Sequence, residues 1–538
     1  MLLSINESLV PKYRFASNIE EQMEQLASNP LLKRFAESRK RLAEEPYRPV
    51  YHYVNPEGNL NDPNGLCFWK GYWHLFYQAY PPEDPRQHWG HAISKDLIHW
   101  GDLPYAIYPG PEYQCFSGAT YVEKDRVIAM YHGTRLGNMV AISDDPLLLN
   151  WQKVNHTAVI PTVNADGTVP NYVVFDPCIW KENGLYYSLS GQRQPSSCGK
   201  SVRRAHYLFR SEDLMKWEYL HEFVENDCFT LDGDDGACPY FWPIGDRHIL
   251  LFFSHMSGSQ YLLGDYEKEK CKFLATAHGR FNFGPARPSG VHAPSAAPDG
   301  AGNVVVIFNM NPGKPTSGWN QAMTLPRQLT LVGDDQLRIA PVEDVARLQC
   351  QHRHVPGMNL PADKEVVFDE IEGNAMEILA QIEPKGAALV ELNVLRSPGK
   401  EEFTRIAFFK KRGYINPIEK RHYSLVTIDS SYSSTLPDAQ IRGPETAHVF
   451  LDDQETLTLR VFIDKSIVEV FVNERQCLAV RVYPGRSDST GVSIRARGQN
   501  AALKSLDAWQ MKSIYSFTGK NPYSCGKHQL INGVSDLV

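Results

Sequence analysis

The chain has 538 residues, too many for one hydrophobic core, and its length predicts at least two large domains. Aromatic residues make up 11% and charged residues 22%, and the 38 glycines and 36 prolines are typical of a turn-rich, mostly β globular protein. The formal net charge of -7 argues against nucleic acid or an anionic membrane as the main partner and suits a neutral substrate.

The amino-terminal residues and the cysteines bear on the cellular location. The first residues show no basic stretch followed by an apolar run, and no segment approaches the roughly 20 apolar residues that cross a bilayer. The ten cysteines are scattered singly, without a Cys-X-X-Cys pair, and we interpret them as reduced thiols. We therefore expect a cytoplasmic protein, and no residue cluster or phosphate-binding loop predicts a metal or a cofactor.

The first predicted elements are helices. Apolar residues recur at helical spacing over residues 17–44, among Glu, Gln, Lys and Arg. Pro30 is expected to divide this segment into two helices. We predict that residues 1–47 form a short helical extension that packs on the following domain or on a partner subunit.

Residues 48–340 contain two recurring elements among short strands and turns. The first is Ser-X-Asp-Leu-X-X-Trp, which ends at Trp100 and Trp217 and has a looser copy ending at Trp151. The second is an X-Pro turn before a glycine-containing hairpin and an apolar strand. Its prolines are Pro63, Pro177 and Pro239. Irregular periods of about fifty residues, each with several strands, are typical of propeller blades, and we predict a five-bladed β-propeller.

The rest of the chain predicts a second all-β domain. Residues 341–358 are interpreted as a linker with a brief helix. Clear alternation over residues 359–516, including the predicted hairpin Leu457–Asp464 and Ile467–Val472, indicates a β-sandwich. The polar tail, residues 517–538, predicts no structure. A homo-oligomer formed through the sandwich or the amino-terminal helices is left open.

A carboxylate lies on a tight turn at the start of the predicted propeller. Asp62 stands within Asn61-Asp62-Pro63-Asn64-Gly65, and aromatic residues flank this turn on both sides. An Asp-Pro pair is most often an ordinary surface turn. Aromatic rings beside a carboxylate also suit a sugar, because its C–H faces stack on rings while its hydroxyls need acceptors.

Propeller repetition predicts a partner for Asp62. Equivalent positions of successive blades converge on the central channel, so Asp62, Asp176 and the residues just before Pro239 are expected to meet there. Two carboxylates on either side of a sugar are the minimum apparatus for breaking a glycosidic bond. One attacks or stabilises the anomeric carbon, and an acid protonates the leaving oxygen.

Further motifs between residues 50 and 515 complete a recognisable ordered set. They are Phe76-Tyr77-Gln78, Trp89-Gly90-His91-Ala92, Phe116-Ser117-Gly118, Phe175-Asp176-Pro177, Leu325-Pro326-Arg327 and Val468-Glu469-Val470-Phe471. With the Asp62 turn, this set resembles glycoside hydrolase family 32, the invertase-like β-fructofuranosidases. The resemblance implies an all-β chain, a five-bladed propeller followed by a β-sandwich, that cleaves β-fructofuranosides such as sucrose, fructo-oligosaccharides or fructans with retention.

The resemblance also implies roles for individual residues. Asp62 would be the nucleophile that attacks the fructosyl anomeric carbon, and Asp176 would stabilise the transition state. Five residues would bind the fructose as substrate: Asn61, Gln78, Trp89, Phe116 and Ser117. For the two aromatic residues the alternative is ordinary packing in the propeller core.

Two positions depart from the family pattern. The acid/base Glu that precedes Cys-Pro in the family is Ala237 here, and Phe175 stands in place of an Arg that helps to bind fructose. Alanine cannot donate a proton, so the general acid must be elsewhere or the activity is lost. A loss of activity would leave a non-catalytic fructan- or sugar-binding protein, and an engineered knock-out is a third explanation.

The nearest replacement acid is Asp235. On an extended segment its side chain would point the same way as that of residue 237, and an acid there would need a pKa raised by burial or by neighbouring carboxylates. Asp232 and Asp234 are further candidates, although the acidic run is equally well interpreted as a solvated loop. Transfer of fructose to another sugar uses the same fructosyl-enzyme, and the sequence does not separate such a fructosyltransferase from a hydrolase.

Overall fold

The computed structural model describes residues 7–195, 199–225, 227–418 and 420–515. The predicted tail, residues 517–538, lies outside the described residues. None of the helices in these ranges is long and apolar enough to cross a membrane.

Two short helices precede the β-structure, α1 (Ile19–Ser28) and α2 (Pro30–Leu42). The prediction that Pro30 divides the segment is confirmed. The side chain of Asn29 accepts hydrogen bonds from the backbone N–H groups of Leu31 and Leu32, so it caps the second helix, in which Pro30 takes the first position. Phe35 on the buried face of α2 packs edge-to-face on Tyr105, which ties the helix to the first blade.

Five successive sheets follow along the described chain. The strands of blade 1 are β1 (Leu60–Trp69), β2 (Tyr72–Ala79), β3 (His88–Ser94) and β4 (Trp100–Ile107). Those of blade 2 are β5 (Cys115–Val122), β6 (Val127–Gly133), β7 (Gly137–Ser143), β8 (Gln152–Lys153) and β9 (Ile160–Pro161). Those of blade 3 are β10 (Pro177–Glu182), β11 (Leu185–Pro195), β12 (Val202–Ser211) and β13 (Glu218–Glu222).

The last two sheets of this domain have five strands each. Those of blade 4 are β14 (Val224–Glu225), β15 (Ala237–Ile244), β16 (Arg247–Ser254), β17 (Gly258–Glu267) and β18 (Lys272–Arg280). Those of blade 5 are β19 (Val291–Pro298), β20 (Val304–Met310), β21 (Ala322–Met323), β22 (Arg327–Val332) and β23 (Gln336–Pro341). The innermost strands β1, β5, β10, β15 and β19 contact one another in this order, and β19 contacts β1. The ring is closed, which confirms the five-bladed propeller.

The Ser-X-Asp-Leu repeat is a structural turn before the outer strand of a blade. In blade 1 the Asp96 carboxylate accepts the backbone N–H groups of Ile98 and His99, at 3.0 and 2.8 Å. In blade 3 Asp213 accepts the equivalent backbone groups of Met215 and Lys216. A carboxylate that satisfies two backbone donors two and three residues ahead stabilises a tight turn, so the repeat marks blade architecture rather than chemistry.

Two six-stranded sheets and a two-stranded sheet, which pairs Ile415–Asn416 with Arg421–His422, form the second domain, after a 3₁₀ helix at Glu343–Leu348. Its strands in chain order are β24 (Gln349–Leu360), β25 (Glu365–Glu372), β26 (Ala375–Glu383), β27 (Leu389–Arg396), β28 (Thr404–Phe409), β29 (Ile415–Asn416), β30 (Arg421–His422), β31 (Ser424–Asp429), β32 (Glu445–Val449), β33 (Leu457–Asp464), β34 (Ile467–Val472), β35 (Gln476–Arg481), β36 (Gly491–Arg497) and β37 (Ala501–Met511).

The strand order is β24-β37-β26-β33-β34-β35 in one sheet and β25-β36-β27-β28-β31-β32 in the other, and their apolar faces share one core. The predicted sandwich is confirmed, and β33 and β34 form the predicted hairpin. The predicted linker differs, because β24 begins at Gln349 and its pairing with β37 places most of residues 341–358 in the sandwich.

A buried polar network joins the two domains. His52 lies between two sandwich carboxylates, with Nδ1 2.8 Å from Asp464 Oδ2 and Nε2 3.0 Å from Glu469 Oε1. Arg327 of blade 5 donates to the second oxygen of Glu469 at 2.8 Å. Burial opposes the charge on His52, but the two carboxylates outweigh it and raise the pKa of the imidazole.

Candidate active site

The amino-terminal ends of the innermost strands meet at one mouth of the propeller channel. Strand pairing is irregular near the starts of β1, β5, β15 and β19. Such bulges change the direction of side chains, and a proline donates no hydrogen bond to the neighbouring strand. The side chains at these strand ends can therefore point into the channel. Asp62, Ser117, Asp176, Ala237 and His292 all come to this mouth.

Asp62 is buried, and its two carboxylate oxygens differ in their hydrogen bonds. Its Oδ2 accepts a hydrogen bond from Ser117 Oγ at 2.7 Å and one from Gln78 Nε2 at 3.3 Å. Its Oδ1 has no hydrogen-bond partner among the described residues and lies 3.9 Å from His292 Nε2. Burial raises the pKa of Asp62, while the Ser117 hydroxyl opposes the shift. One oxygen is therefore held in place and the other is left to react.

Asp176 is the second carboxylate, as the blade repeat predicts. The thiol of Cys238 joins the two acids, with Sγ 3.4 Å from Asp176 Oδ2 and 3.7 Å from Asp62 Oδ2. Burial and then the charge on Asp62 raise the pKa of Asp176 to about 8. The hydrogen bonds that Asp62 accepts from Ser117 and Gln78 favour the negative charge on Asp62, and that charge in turn opposes the ionisation of Asp176.

Amide side chains extend the site from Asp62 towards blade 5. Asn61 Nδ2 donates to Gln78 Oε1 at 2.8 Å, and Gln321 Nε2 donates to Asn61 Oδ1 at 3.0 Å. Asn309 in turn donates to Gln321 at 2.6 Å. The sequence motifs did not indicate Gln321 or Asn309, because only the closed ring brings blade 5 beside blade 1.

The two aromatic residues predicted to bind fructose differ in position. Trp89 is 0% exposed and packs on Phe76 and Tyr131, with both pairs of ring centroids 5.7 Å apart. The burial of Trp89 favours the alternative of core packing, and its role in binding fructose stays a prediction. Its Nε1–H donates to the backbone oxygen of Phe116 at 2.9 Å. Phe116 itself is half-buried and its ring lies 6.1 Å from that of His132.

The site opens beside Asn61 onto a depression of about 400 Å³. Its lining is largely polar and includes Tyr80, Arg287, Asn320, Gln321 and Gln440. Hydroxyl groups of a sugar attached to the bound residue would meet donors and acceptors there. Among the described residues, no group of three or more His, Cys, Asp or Glu side chains is arranged to hold a metal ion.

Two family models match most of the chain. The model for the N-terminal domain of glycosyl hydrolases family 32 matches residues 52–341, and the model for the C-terminal domain of this family matches residues 347–510. The chain belongs to glycosyl hydrolase family 32.

Individual relatives and solved structures agree with this placement. A sucrose-6-phosphate hydrolase of Zymomonas mobilis is 26% identical over 88% of this family 32 chain and 94% of the relative. A levanase of Bacillus subtilis is 27% identical over 88% of this chain and 72% of its own. The crystal structure of fructan 1-exohydrolase IIa from Cichorium intybus matches with a TM-score of 0.75 and 22% identity, over 87% of this chain and 98% of that one. This last likeness shows the fold.

The two departures of this family 32 chain lie side by side. Ala237 is 1% exposed and packs in a small apolar cluster with Cys238, Phe253 and Ala293, against which Phe175 rests. Nothing at position 237 can transfer a proton. An aromatic ring stands at position 175, where the family pattern has a guanidinium.

The acidic run before Cys238 is folded into the protein rather than solvated as a whole. Asp232 is exposed, but the Asp234 side chain is buried and accepts a hydrogen bond from Ser257 Oγ at 2.8 Å. Asp235 is also buried, and its Oδ2 lies 2.9 Å from Nδ1 of His255. The interpretation as a solvated loop is therefore wrong for Asp234 and Asp235.

His255 is a site residue that the sequence did not reveal. Its backbone N–H donates to Asp235 Oδ1 at 3.3 Å, so both atoms of one carboxylate hold this residue. The ring centroid lies 6.4 Å from Phe175 and 6.0 Å from His292. No motif signals His255, because it lies twenty residues after Asp235 in the sequence. The pairing of β15 with β16 in blade 4 brings the two residues together.

Proposed function

We propose that this protein is a retaining β-fructofuranosidase that hydrolyses sucrose, fructo-oligosaccharides or fructans through a fructosyl-enzyme on Asp62. Family membership supports glycoside hydrolysis, and the curated relatives include a fructan 6-exohydrolase of Beta vulgaris as well as the two hydrolases above. The observation that carries the proposal is the meeting of Asp62 and Asp176 at one channel mouth, bridged by one thiol.

In the proposed first step, Asp62 Oδ1 attacks the anomeric carbon of the fructosyl group. Ser117 and Gln78 hold Oδ2, so the carboxylate is oriented before the substrate arrives and little reorganisation is needed in the transition state. The bond to the leaving oxygen breaks as the ester forms, and water then hydrolyses the ester with overall retention.

Asp176 is proposed to hold fructose hydroxyls and to respond to the charge on Asp62. Its pKa of about 8 in the free site depends partly on the Asp62 carboxylate. Formation of the ester removes that charge, so the Asp176 proton is released more readily as the reaction proceeds. An ionised Asp176 then stabilises the positive character of the sugar ring in the second transition state.

The remaining polar residues are proposed to select the fructosyl group. Asn61, Gln78 and Ser117 present amide and hydroxyl groups beside the reacting carbon, while Phe116 offers a partly exposed ring for the apolar face of the sugar. The depression beside Asn61 is proposed to hold the rest of the substrate. Among the residues that the structure describes, no contact in the site specifically favours transfer to a second sugar or binding without turnover.

A reducing, cytoplasmic compartment remains our proposal for the location. The eight cysteines of the described residues are all free thiols, which agrees with the absence of a disulfide framework in the sequence pattern. Assembly through the sandwich or the amino-terminal helices also remains a proposal, and light scattering of the purified protein tests it.

The test is the release of fructose by purified protein from sucrose, 1-kestose, inulin and levan. Asp62→Asn should abolish release from all four, whereas Asp125→Asn in an exposed turn of blade 2 should not change it. The first-formed fructose anomer, followed by NMR in deuterated water, should have the β configuration. Full activity of Asp62→Asn, or an inverted first product, would contradict the proposal.

A further inference from the structure

The proposed hydrolysis needs a proton donor, and the position that supplies it in the family is Ala237. The inference below therefore rests on the proposed function and deepens it. Burial raises the pKa of the Cys238 thiol, which lies between the Asp62 and Asp176 carboxyls. The candidates for the donor at this mouth are four carboxyl or imidazole side chains of the described chain: Asp176, Asp235, His255 and His292.

Three of the four are poorly suited to protonate a leaving oxygen. Asp176 accepts a hydrogen bond from the Cys238 thiol, which also contacts the nucleophile Asp62. His292 is fully buried, and burial lowers its pKa to about 3, so it is neutral at working pH. Both oxygens of Asp235 face His255. His255 is left.

His255 follows the strand that pairs with Ala237. Ala237 pairs with Phe253 across β15 and β16, and His255 follows two residues later, just past the end of β16. Its ring contacts Phe253, with centroids 4.8 Å apart. Its side chain is 55% exposed, so a substrate bound at the channel mouth can reach the ring.

We propose that His255 is the general acid/base of this enzyme and that Asp235 is its positioning residue. Asp235 holds Nδ1, which selects the tautomer and leaves Nε2 to face the glycosidic oxygen. A carboxylate–imidazole pair of this kind orients the ring and stabilises the imidazolium, as in other enzymes that use histidine for proton transfer.

The steps balance without a further reactant. In the first step Asp62 Oδ1 forms a bond to the anomeric carbon, the glycosidic bond breaks, and its electron pair goes to the leaving oxygen, which takes the proton from Nε2. In the second step neutral Nε2 accepts a proton from water as the water oxygen bonds to the anomeric carbon. The ester electron pair returns to Asp62, and imidazolium is restored.

The charges around His255 suit the first step. The hydrogen bond to Asp235 raises its pKa, burial opposes this, and the carboxylates of Asp235, Asp176 and Asp62 add to the increase. His292, which faces the ring from blade 5, is neutral. Because the pKa of His255 is raised from its usual value, the imidazolium is available to give its proton in the first step.

The same assignment accounts for Phe175. An arginine at this position would place a second cation beside the His255 ring and lower its pKa. The phenyl ring, 6.4 Å from the imidazole, carries no charge and so does not lower the pKa of His255 in this way. In this assignment Ala237 removes the family acid, and Phe175 removes a cation that would disfavour the new acid, His255.

The experiment compares His255→Gln with wild-type protein on sucrose and on an activated aryl β-fructofuranoside. We expect kcat/KM on sucrose to fall about 100- to 10,000-fold, and kcat/KM on the aryl substrate to change less than about tenfold, because its leaving group needs no proton. The fructosyl-enzyme should then accumulate, and azide should restore turnover with formation of β-fructosyl azide.

Two further variants separate proton transfer from structure. Asp235→Asn and Phe175→Arg should each shift the basic limb of the kcat/KM pH profile to lower pH, a shift that a packing defect alone would not produce. His99→Gln is the matched control, because His99 Nδ1 also lies 2.8 Å from a carboxylate, that of Asp96, in an outer turn of blade 1. It should leave both substrates and the profile unchanged.

The outcomes are distinct. Equal losses on both substrates, or an unchanged basic limb in His255→Gln, would overturn the assignment of His255 while the proposed function stands, provided that wild-type protein releases fructose. Absence of fructose release by wild-type protein from every substrate would overturn the proposed function itself, and this inference with it. The retained aryl activity and an unchanged melting temperature report that the variant is folded.

Discussion

Asp176→Asn should make the protein more stable at neutral pH. Asp176 is buried, and burial together with the Asp62 charge raises its pKa to about 8. In the unfolded chain an aspartate titrates near about 3.9. The folded state therefore binds the Asp176 proton more tightly, and stability that is present below about pH 4 is lost as pH rises towards 8.

The magnitude follows from the difference between the two pKa values. A tenfold difference in proton affinity corresponds to about 1.4 kcal/mol, so raising the pH from about 4 to about 7 costs up to about 4 kcal/mol. Because Asp62 shares the titration, we expect about 2 to 4 kcal/mol. Asparagine keeps the shape of the side chain and cannot ionise, so Asp176→Asn avoids this loss.

The assay is thermal unfolding of Asp176→Asn and wild type between about pH 4.5 and about pH 8. At about 2 °C per kcal/mol, the variant should melt about 4 to 8 °C higher at pH 8 and within about 2 °C of wild type at pH 4.5. Asp125→Asn, in an exposed turn, is the control and should show no such divergence. A difference that does not change with pH, or a wild type that is more stable at pH 8, would refute the reasoning.

Three other changes test the site and the domain contact. Ser117→Ala removes the hydrogen bond that lowers the pKa of Asp62, so the acidic limb of the kcat/KM pH profile should move to higher pH, with a roughly tenfold loss of rate. Glu469→Gln leaves Arg327 buried without its ion-pair partner, so calorimetry should show a loss of about 3 to 5 kcal/mol in the free energy of unfolding. A double variant that adds Arg327→Met should recover part of this loss if the two residues are coupled. Trp89→Ala should cost about 3 to 5 kcal/mol of stability, and Trp89→Phe should keep KM for sucrose within about threefold, whereas a direct contact with fructose would raise it further.

The sequence alone determined the domain types, the division of the helices and the principal carboxylates. These features follow from short-range rules. Pro30 starts a helix, and alternating residues mark the strands of the sandwich hairpin. The recurring X-Pro turn carries Asp62 in blade 1 and Asp176 in blade 3. Blade repetition converts such local patterns into a site, because equivalent positions must meet in a closed ring.

Only the tertiary structure decided which side chains are exposed and which donors meet which acceptors. Trp89 lies in a sequence motif but is wholly buried, while Gln321 lies in no motif and supports Asn61 from another blade. The pairing of Asp235 with His255 depends on strand register in blade 4, and the proton affinities of the carboxyls depend on burial. Both are long-range properties, since they arise from residues far apart in sequence that the fold places within a few ångströms.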